Sequence, residues 1–136
     1  MKKNYYFLCL CFLFFASPNS VWAQDQNTSD STGLPGDNFS LKGALALFEK
    51  AGSPENFEQL INTESNNVNN LDLNDDGEID YVQVIDNYEK DAHAFILRVA
   101  VSETESQDIA VIELEKTGEK SAMVQIVGDK DIYGEE

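Results

Sequence analysis

The hydrophobic pattern of the chain changes near residue 70 from a helical period to alternation. Between Ser40 and Asn62, apolar residues recur at the spacing of three and four that is typical of an amphipathic helix. Gly52 interrupts this stretch, and Ser53-Pro54 follows as an N-cap serine with a proline at the first helical position. The pattern therefore predicts two short helices, the first stopping at Gly52 and the second running to about Asn62.

After Asn70, apolar and polar residues alternate with the two-residue period of a β-strand. The segments with this pattern are 78–86, 92–101, 108–115 and 121–127. The last two are joined by Lys116–Glu119, a short turn that contains a glycine. Short connections favour antiparallel neighbours, because parallel strands need long crossovers. We therefore predict an α+β fold, in which two short N-terminal helices pack on one face of a four-stranded antiparallel meander sheet.

The first 23 residues differ from the rest of the chain. Met1-Lys2-Lys3 is basic, Tyr5–Ala16 is apolar, and Val21-Trp22-Ala23 has small residues at the two positions that a signal peptidase reads. This organisation predicts a signal peptide at 1–23. A membrane span needs about 20 apolar residues, and the apolar run here is much shorter. We therefore expect an exported protein, periplasmic or secreted, with no membrane span after cleavage.

Residues 24–39 form a polar segment that is rich in Ser, Thr, Asn, Asp and Gly. This composition is typical of a flexible linker. We therefore place a flexible polar linker at 24–39, and a single α+β domain at 40–136 that contains both the helical and the alternating patterns.

The composition is acidic, with 9 Lys and Arg against 25 Asp and Glu and a formal charge of −16. Cleavage would remove two lysines and no acid, leaving 7 basic against 25 acidic residues, or −18. Such a surface disfavours binding to nucleic acids and to anionic lipids. Cys9 and Cys11 would leave with the signal peptide, so the exported domain would have no disulfide. A bound metal ion is one of the usual stabilisers of small domains of this kind.

The connector between the helical and alternating regions contains the sequence Asp72-Leu73-Asn74-Asp75-Asp76-Gly77-Glu78-Ile79-Asp80. Acidic or amide side chains fall at its positions 1, 3, 5 and 9, and glycine at position 6 permits a sharp bend. Ca²⁺ takes about six to eight oxygen ligands, so it needs carboxylates and carbonyls that converge from one tight turn. We predict a calcium loop at 72–80, with Ile79 packed on the core. The alternative is an ordinary turn rich in Asn, Asp and Gly.

The loop resembles the EF-hand calcium loop up to its ninth position. At the twelfth position, however, Gln83 replaces the usual glutamate, and residues 79–85 are rich in strand formers. A closer resemblance is to the calcium loops of secreted bacterial and integrin-type β repeats, which read D-x-N-x-D-G-x-x-D and continue into a strand. Taken whole, the chain resembles small exported proteins of Bacteroidetes-type bacteria that carry this loop. The resemblance implies four side-chain ligands and the main-chain carbonyl of Glu78, in the set Asp72, Asn74, Asp76, Glu78 and Asp80.

Residues that would indicate catalysis are scarce in the sequence. His93 is the only histidine, and we expect it at a strand end on the surface. The sequence has no G-x-S-x-G elbow and no zinc-binding spacing, and carboxylate pairs are expected from abundance alone. We therefore predict a non-enzymatic protein that binds one Ca²⁺, mainly as a structural ion. The alternative is an acidic protein-interaction or inhibitor-like module, in which the acidic sheet face docks a basic protein partner and calcium is incidental.

Overall fold

The computed structural model describes residues 31–135. The predicted signal peptide at 1–23 and the first part of the predicted linker, 24–30, lie outside the described residues. The helical elements are a 3-10 turn at Pro35–Asn38, α1 at Leu41–Lys50, α2 at Pro54–Ile61, a 3-10 turn at Glu64–Asn66 and α3 at Lys130–Tyr133. The strands are β1 at Val82–Glu89, β2 at Ala92–Ala100, β3 at Ser106–Lys116 and β4 at Ala122–Gly128.

The helices α1 and α2 begin at serine caps. The Ser40 hydroxyl accepts a hydrogen bond from the Gly43 N–H at 3.0 Å, and the Ser53 hydroxyl accepts one from the Asn56 N–H at 3.1 Å. Each cap provides an acceptor for an N–H group that the first turn of the helix leaves without a partner. None of the helices in the described part of the chain is long and apolar enough to cross a membrane.

The four strands form one antiparallel sheet in the order β1-β2-β3-β4. The predicted α+β class and four-stranded antiparallel sheet are therefore confirmed. β1 begins at Val82, later than the predicted start at residue 78, because the Asp80 N–H donates to the Leu71 carbonyl at 2.7 Å and holds the preceding residues in the loop. The helix α3 was not predicted, and the Asp129 side chain caps it by accepting from the Asp131 N–H at 2.9 Å.

The core lies between α1, α2 and one face of the sheet. The Phe48 ring from α1 meets the Phe57 ring from α2 edge to face, with centroids 5.2 Å apart, and also contacts Phe95 of β2. The largest fully buried side chains are Phe57, Ile61, Leu71, Leu97, Ile109, Ile112, Val82 and Val99. Phe95, Leu97 and Val99 share the buried face of β2, as their alternation predicted.

Part of the segment predicted to be a linker is packed. Phe39 is only 3% exposed and its backbone pairs with that of Asn69. The Asp37 carboxylate accepts hydrogen bonds from Thr32 and Gly33, and bonding to Thr32 is the main reason that the pKa of Asp37 is lowered. The packed part of the chain therefore begins before residue 40, because Phe39 adds apolar surface to the core.

β3 has one residue more than β2 in the middle of their pairing. Leu97 pairs with Ala110 and Arg98 pairs with Asp108, so Ile109 has no partner on β2. Such a β-bulge bends the strand locally. Here it buries two successive residues, Ile109 and Ala110. The Ile109 carbonyl accepts a hydrogen bond from the Asp129 N–H at 2.9 Å, just before α3.

Candidate metal centre

The loop at 72–80 is an exposed turn that its own acidic side chains close. The Asp72 carboxylate accepts hydrogen bonds from the N–H of Asp76 at 3.1 Å and from that of Gly77 at 2.9 Å. The Asp76 carboxylate accepts one from the Glu78 N–H at 2.8 Å. Gly77 has φ 85° and Asp75 has φ 56°, and this left-handed conformation favours glycine and tolerates aspartate. The sharp bend expected at Gly77 is present.

Asn74 and Asp80 join this turn in different ways. Oδ1 of Asn74 accepts from the Asp76 N–H, and its Nδ2 donates to the Asp76 carboxylate, both at 3.1 Å. The Asp80 carboxylate accepts from the Leu73 N–H at 2.6 Å, at the start of the loop. The structure therefore brings Asp72, Asn74 and Asp76 into one hydrogen-bonded group, whereas the Asp80 carboxylate bonds the backbone N–H of Leu73.

The donor chemistry of the loop fits a hard cation. Its predicted ligands are carboxylate, amide and carbonyl oxygens, which are the ligands that Ca²⁺ prefers. A carboxylate offers about four acceptor sites over its two oxygens, so one or two N–H donors leave it free to bind a cation as well. Within residues 31–135, no three His, Cys, Asp or Glu side chains are close enough together to hold a metal ion. An ion held here would therefore also need the amide of Asn74 and main-chain oxygen.

Ile79 does not anchor the loop, so this part of the prediction was wrong. Its side chain is 48% exposed, whereas Leu71 is fully buried and Leu73 is half-buried against the core. The hydrogen bond from the Asp80 N–H to the Leu71 carbonyl closes the base of the loop. This closure places Leu71, just before the loop, and Leu73, near its start, against the core, whereas Ile79 near its end is exposed.

A buried asparagine that the sequence analysis missed fixes both ends of the loop. Asn69 is 6% exposed. Its Nδ2 donates to the Asp80 carbonyl at 2.7 Å and to Oδ1 of Asn62 at 3.2 Å, and its Oδ1 accepts from the Leu71 N–H at 3.1 Å. Because Leu71 precedes the loop and Asp80 ends it, one amide holds the two together. The only signal in the sequence is the richness of residues 63–70 in asparagine.

Side chains of α2 and of its C-cap residue, Asn62, bond backbone groups at the free edge of β1, the strand that follows the loop. Oδ1 of Asn62 accepts from the Val82 N–H at 2.8 Å, and its Nδ2 donates to the Val82 carbonyl at 2.7 Å. The Glu58 carboxylate accepts from the Val84 N–H at 2.8 Å and from the Tyr81 hydroxyl at 2.7 Å. The bond to Glu58 raises the pKa of Tyr81. We call these contacts of Asn62 and Glu58 the β1 clamp; it attaches the end of the loop to a helix.

His93 lies near the start of β2, in a shallow pocket of about 520 Å³. Its ring stacks on Phe95 with centroids 5.6 Å apart and also contacts Tyr88. Nδ1 lies 3.1 Å from a carboxylate oxygen of Asp86. Among the described residues, this is the only side chain to which its ring is hydrogen-bonded. The His93 ring therefore packs on aromatic side chains and bonds one carboxylate, in a pocket that Glu89, Glu113 and Glu115 also line.

Comparisons of the chain with models of known protein families, with curated proteins and with solved structures found no match. The fold and the site define the chain as an α+β domain with an acidic loop at its helix–sheet junction.

Proposed function

We propose that this chain is an exported, non-enzymatic protein that binds one Ca²⁺ in the loop at 72–80, where the ion mainly stabilises the junction between α2 and β1. The observation that carries the proposal is the ordering of Asp72, Asn74 and Asp76 around one turn with their oxygens as acceptors. Asp80 and the Glu78 carbonyl complete the proposed ligand set.

Electrostatics supports a cation at this place. Asp72, Asp76 and Asp80 put three like charges within nine residues, close to the acidic Asp75 and Glu78. Like charges repel, and a bound divalent cation offsets that repulsion. Ca²⁺ fits better than Mg²⁺, which demands a rigid octahedron and retains waters. With one loop and no bidentate glutamate, we expect a Kd on the order of 10⁻⁴–10⁻³ M, as in extracellular modules.

The anchoring of the loop explains why an ion bound there would stabilise the domain. Asn69 ties Leu71 to Asp80 at the base of the loop, and the β1 clamp attaches the next residues to α2. An ion that binds the folded loop and not the unfolded chain stabilises the whole folded state by mass action. The proposed role is therefore a structural one at the connection between helices and sheet.

The test is a Ca²⁺ titration by calorimetry on the purified protein, with thermal melts in EDTA and in 10 mM Ca²⁺. A free Ca²⁺ concentration of about ten times Kd stabilises the folded state by about 1.4 kcal/mol. For a domain of this size, that raises Tm by roughly 5 °C or more. No heat of binding together with equal melting temperatures would contradict calcium binding.

The matched variants are Asp76→Asn and Asp75→Asn, which change the charge of the loop equally. Asp76 is a proposed ligand, whereas the Asp75 side chain makes no hydrogen bond with a described residue, and asparagine tolerates its left-handed φ of 56°. We expect Asp76→Asn to weaken Ca²⁺ binding about tenfold or more and Asp75→Asn to weaken it about threefold at most. Equal losses in both variants would mean that the loop attracts cations only by its net charge.

A further inference from the structure

The face of the sheet that is turned away from α1 and α2, here called the outer face, carries an apolar row across all four strands. Ile85 pairs with Ile96, Ile96 with Val111, and Val111 with Val127. Val127 is 52% exposed and the other three residues are half-buried. Three strand spacings of about 4.8 Å make this row roughly 14 Å long. It is long enough to contact two or three apolar side chains of a partner.

The same face is acidic on one side of the apolar row. Glu113 lies two residues beyond Val111 on β3 and Glu115 four residues beyond it, while Glu89 holds the equivalent place on β1. None of these three glutamates forms an ion pair with a Lys or Arg among residues 31–135.

The opposite side of the apolar row is electrically balanced. Arg98, on the same face, donates two hydrogen bonds to the Asp108 carboxylate. This contact raises the pKa of Arg98 and cancels its charge against that of Asp108. The outer face therefore combines an apolar row with unbalanced negative charge on one side only.

We infer that the outer face docks a cationic amphipathic segment of a partner protein. Apolar side chains of the segment lie along the row from Ile85 to Val127, and its Lys or Arg residues face Glu89, Glu113 and Glu115. Charge complementarity selects this occupant. A second copy of the chain brings the same carboxylates and a strongly negative charge to the interface, and like charges across an interface oppose association.

The docking surface is independent of the proposed calcium loop. The loop at 72–80 precedes β1, and none of its residues belongs to the paired rows of the outer face. Binding at this face is therefore expected to be the same in EDTA and in Ca²⁺. Failure of either proposal can be distinguished from failure of the other by this comparison.

The experiment uses two synthetic helical peptides of 14 residues with the same leucine stripe, one with lysine and the other with glutamate at its polar positions. Binding to the purified protein is followed by fluorescence anisotropy in EDTA. We expect the lysine peptide to bind, with an affinity that falls as salt is added, and the glutamate peptide not to bind. Absence of binding by the lysine peptide, or equal binding by both peptides, overturns the inference.

Val127→Lys and Ile79→Lys form a matched pair of variants. Both replace an apolar residue that is about half exposed, 52% and 48% respectively, with the same charge, and only Val127 lies on the outer face. We expect Val127→Lys to weaken binding of the lysine peptide about tenfold and Ile79→Lys to weaken it about twofold at most. Equal losses overturn the inference. So does a concentration-dependent dimer in sedimentation that Val127→Lys abolishes, because the occupant is then a second copy.

Discussion

Replacing Asn62 with alanine tests the β1 clamp most directly. In the structure, this one side chain bonds both the N–H and the carbonyl of Val82, at 2.8 and 2.7 Å. Val82 is fully buried, and it begins a strand at the edge of the sheet. In Asn62→Ala, these two backbone groups of a buried residue therefore lose their hydrogen-bond partners.

The expected cost follows from the two orphaned groups. A buried donor or acceptor that is left without a partner costs about 1–3 kcal/mol. Asn69 keeps its bond to the Asp80 carbonyl, so only a small part of the neighbouring network is lost. Truncation also removes the desolvated amide of Asn62 itself, which offsets part of the loss. We expect a decrease of about 2–4 kcal/mol in the free energy of unfolding, a large part of the 5–15 kcal/mol that is typical of small domains.

Urea denaturation followed by far-UV circular dichroism measures this loss. With an m-value of roughly 1.5–2 kcal/mol/M, the midpoint falls by about 1–3 M urea. Asn70→Ala is the matched control, because Asn70 is exposed and its side chain makes no hydrogen bond with a described residue; we expect a change within about 0.5 kcal/mol. A loss below about 1 kcal/mol in Asn62→Ala, or an equal loss in the control, would refute the reasoning.

Two further substitutions test the packing of the 3-10 turn at Pro35–Asn38 and the pH dependence of the β1 clamp. In Gly36→Ala, the added Cβ overlaps the Tyr133 ring, so we expect a loss of about 1–3 kcal/mol in urea denaturation, whereas Gly52→Ala, with open space around it, stays near wild type. Tyr81 has a raised pKa because its neutral hydroxyl donates to Glu58, so its stabilisation is present below pH 10 and is lost as pH rises through the folded-state pKa. Because the tyrosine is exposed, we expect Tyr81→Phe to lower the free energy of unfolding by only about 0.5–1 kcal/mol at pH 8. Above pH 10, the stability of this variant should fall less than that of the wild type. Parallel stability–pH profiles of the two proteins would contradict this.

Much of the fold could be predicted because local signals and burial agree. Serine and proline at the start of α2, and alternation along β2 and β3, are short-range features that match one buried face. These features were enough to predict the two helices and the antiparallel order of the strands. The start of β1 could not be predicted, because Ile79 and Tyr81 are strand-forming residues but lie in a backbone that the bond between Asp80 and Leu71 holds in the loop.

The acidic turn of the candidate site could also be recognised from residue types and spacing. The contacts that hold this turn in place could not be predicted from the sequence. The outward position of Ile79 depends on how the loop closes over Leu71, and the roles of Asn69 and Asn62 depend on long-range contacts to Asp80 and Val82. An asparagine in a connector is usually a turn residue. Nothing local distinguishes one whose amide is buried and bonded on both sides.

The extra residue in β3 has a consequence for how the length of this chain can vary. Removing Ile109 would let β2 and β3 pair without interruption, with Asp108 still outward and Ala110 still inward, whereas removing a residue elsewhere in β3 would exchange the two faces of half the strand. The Ile109 carbonyl, however, also accepts the bond from Asp129 at the start of α3. In a shorter relative, we therefore expect the gap at position 109, accompanied by loss or rearrangement of the third helix. The length of β3 and the presence of α3 would then change together.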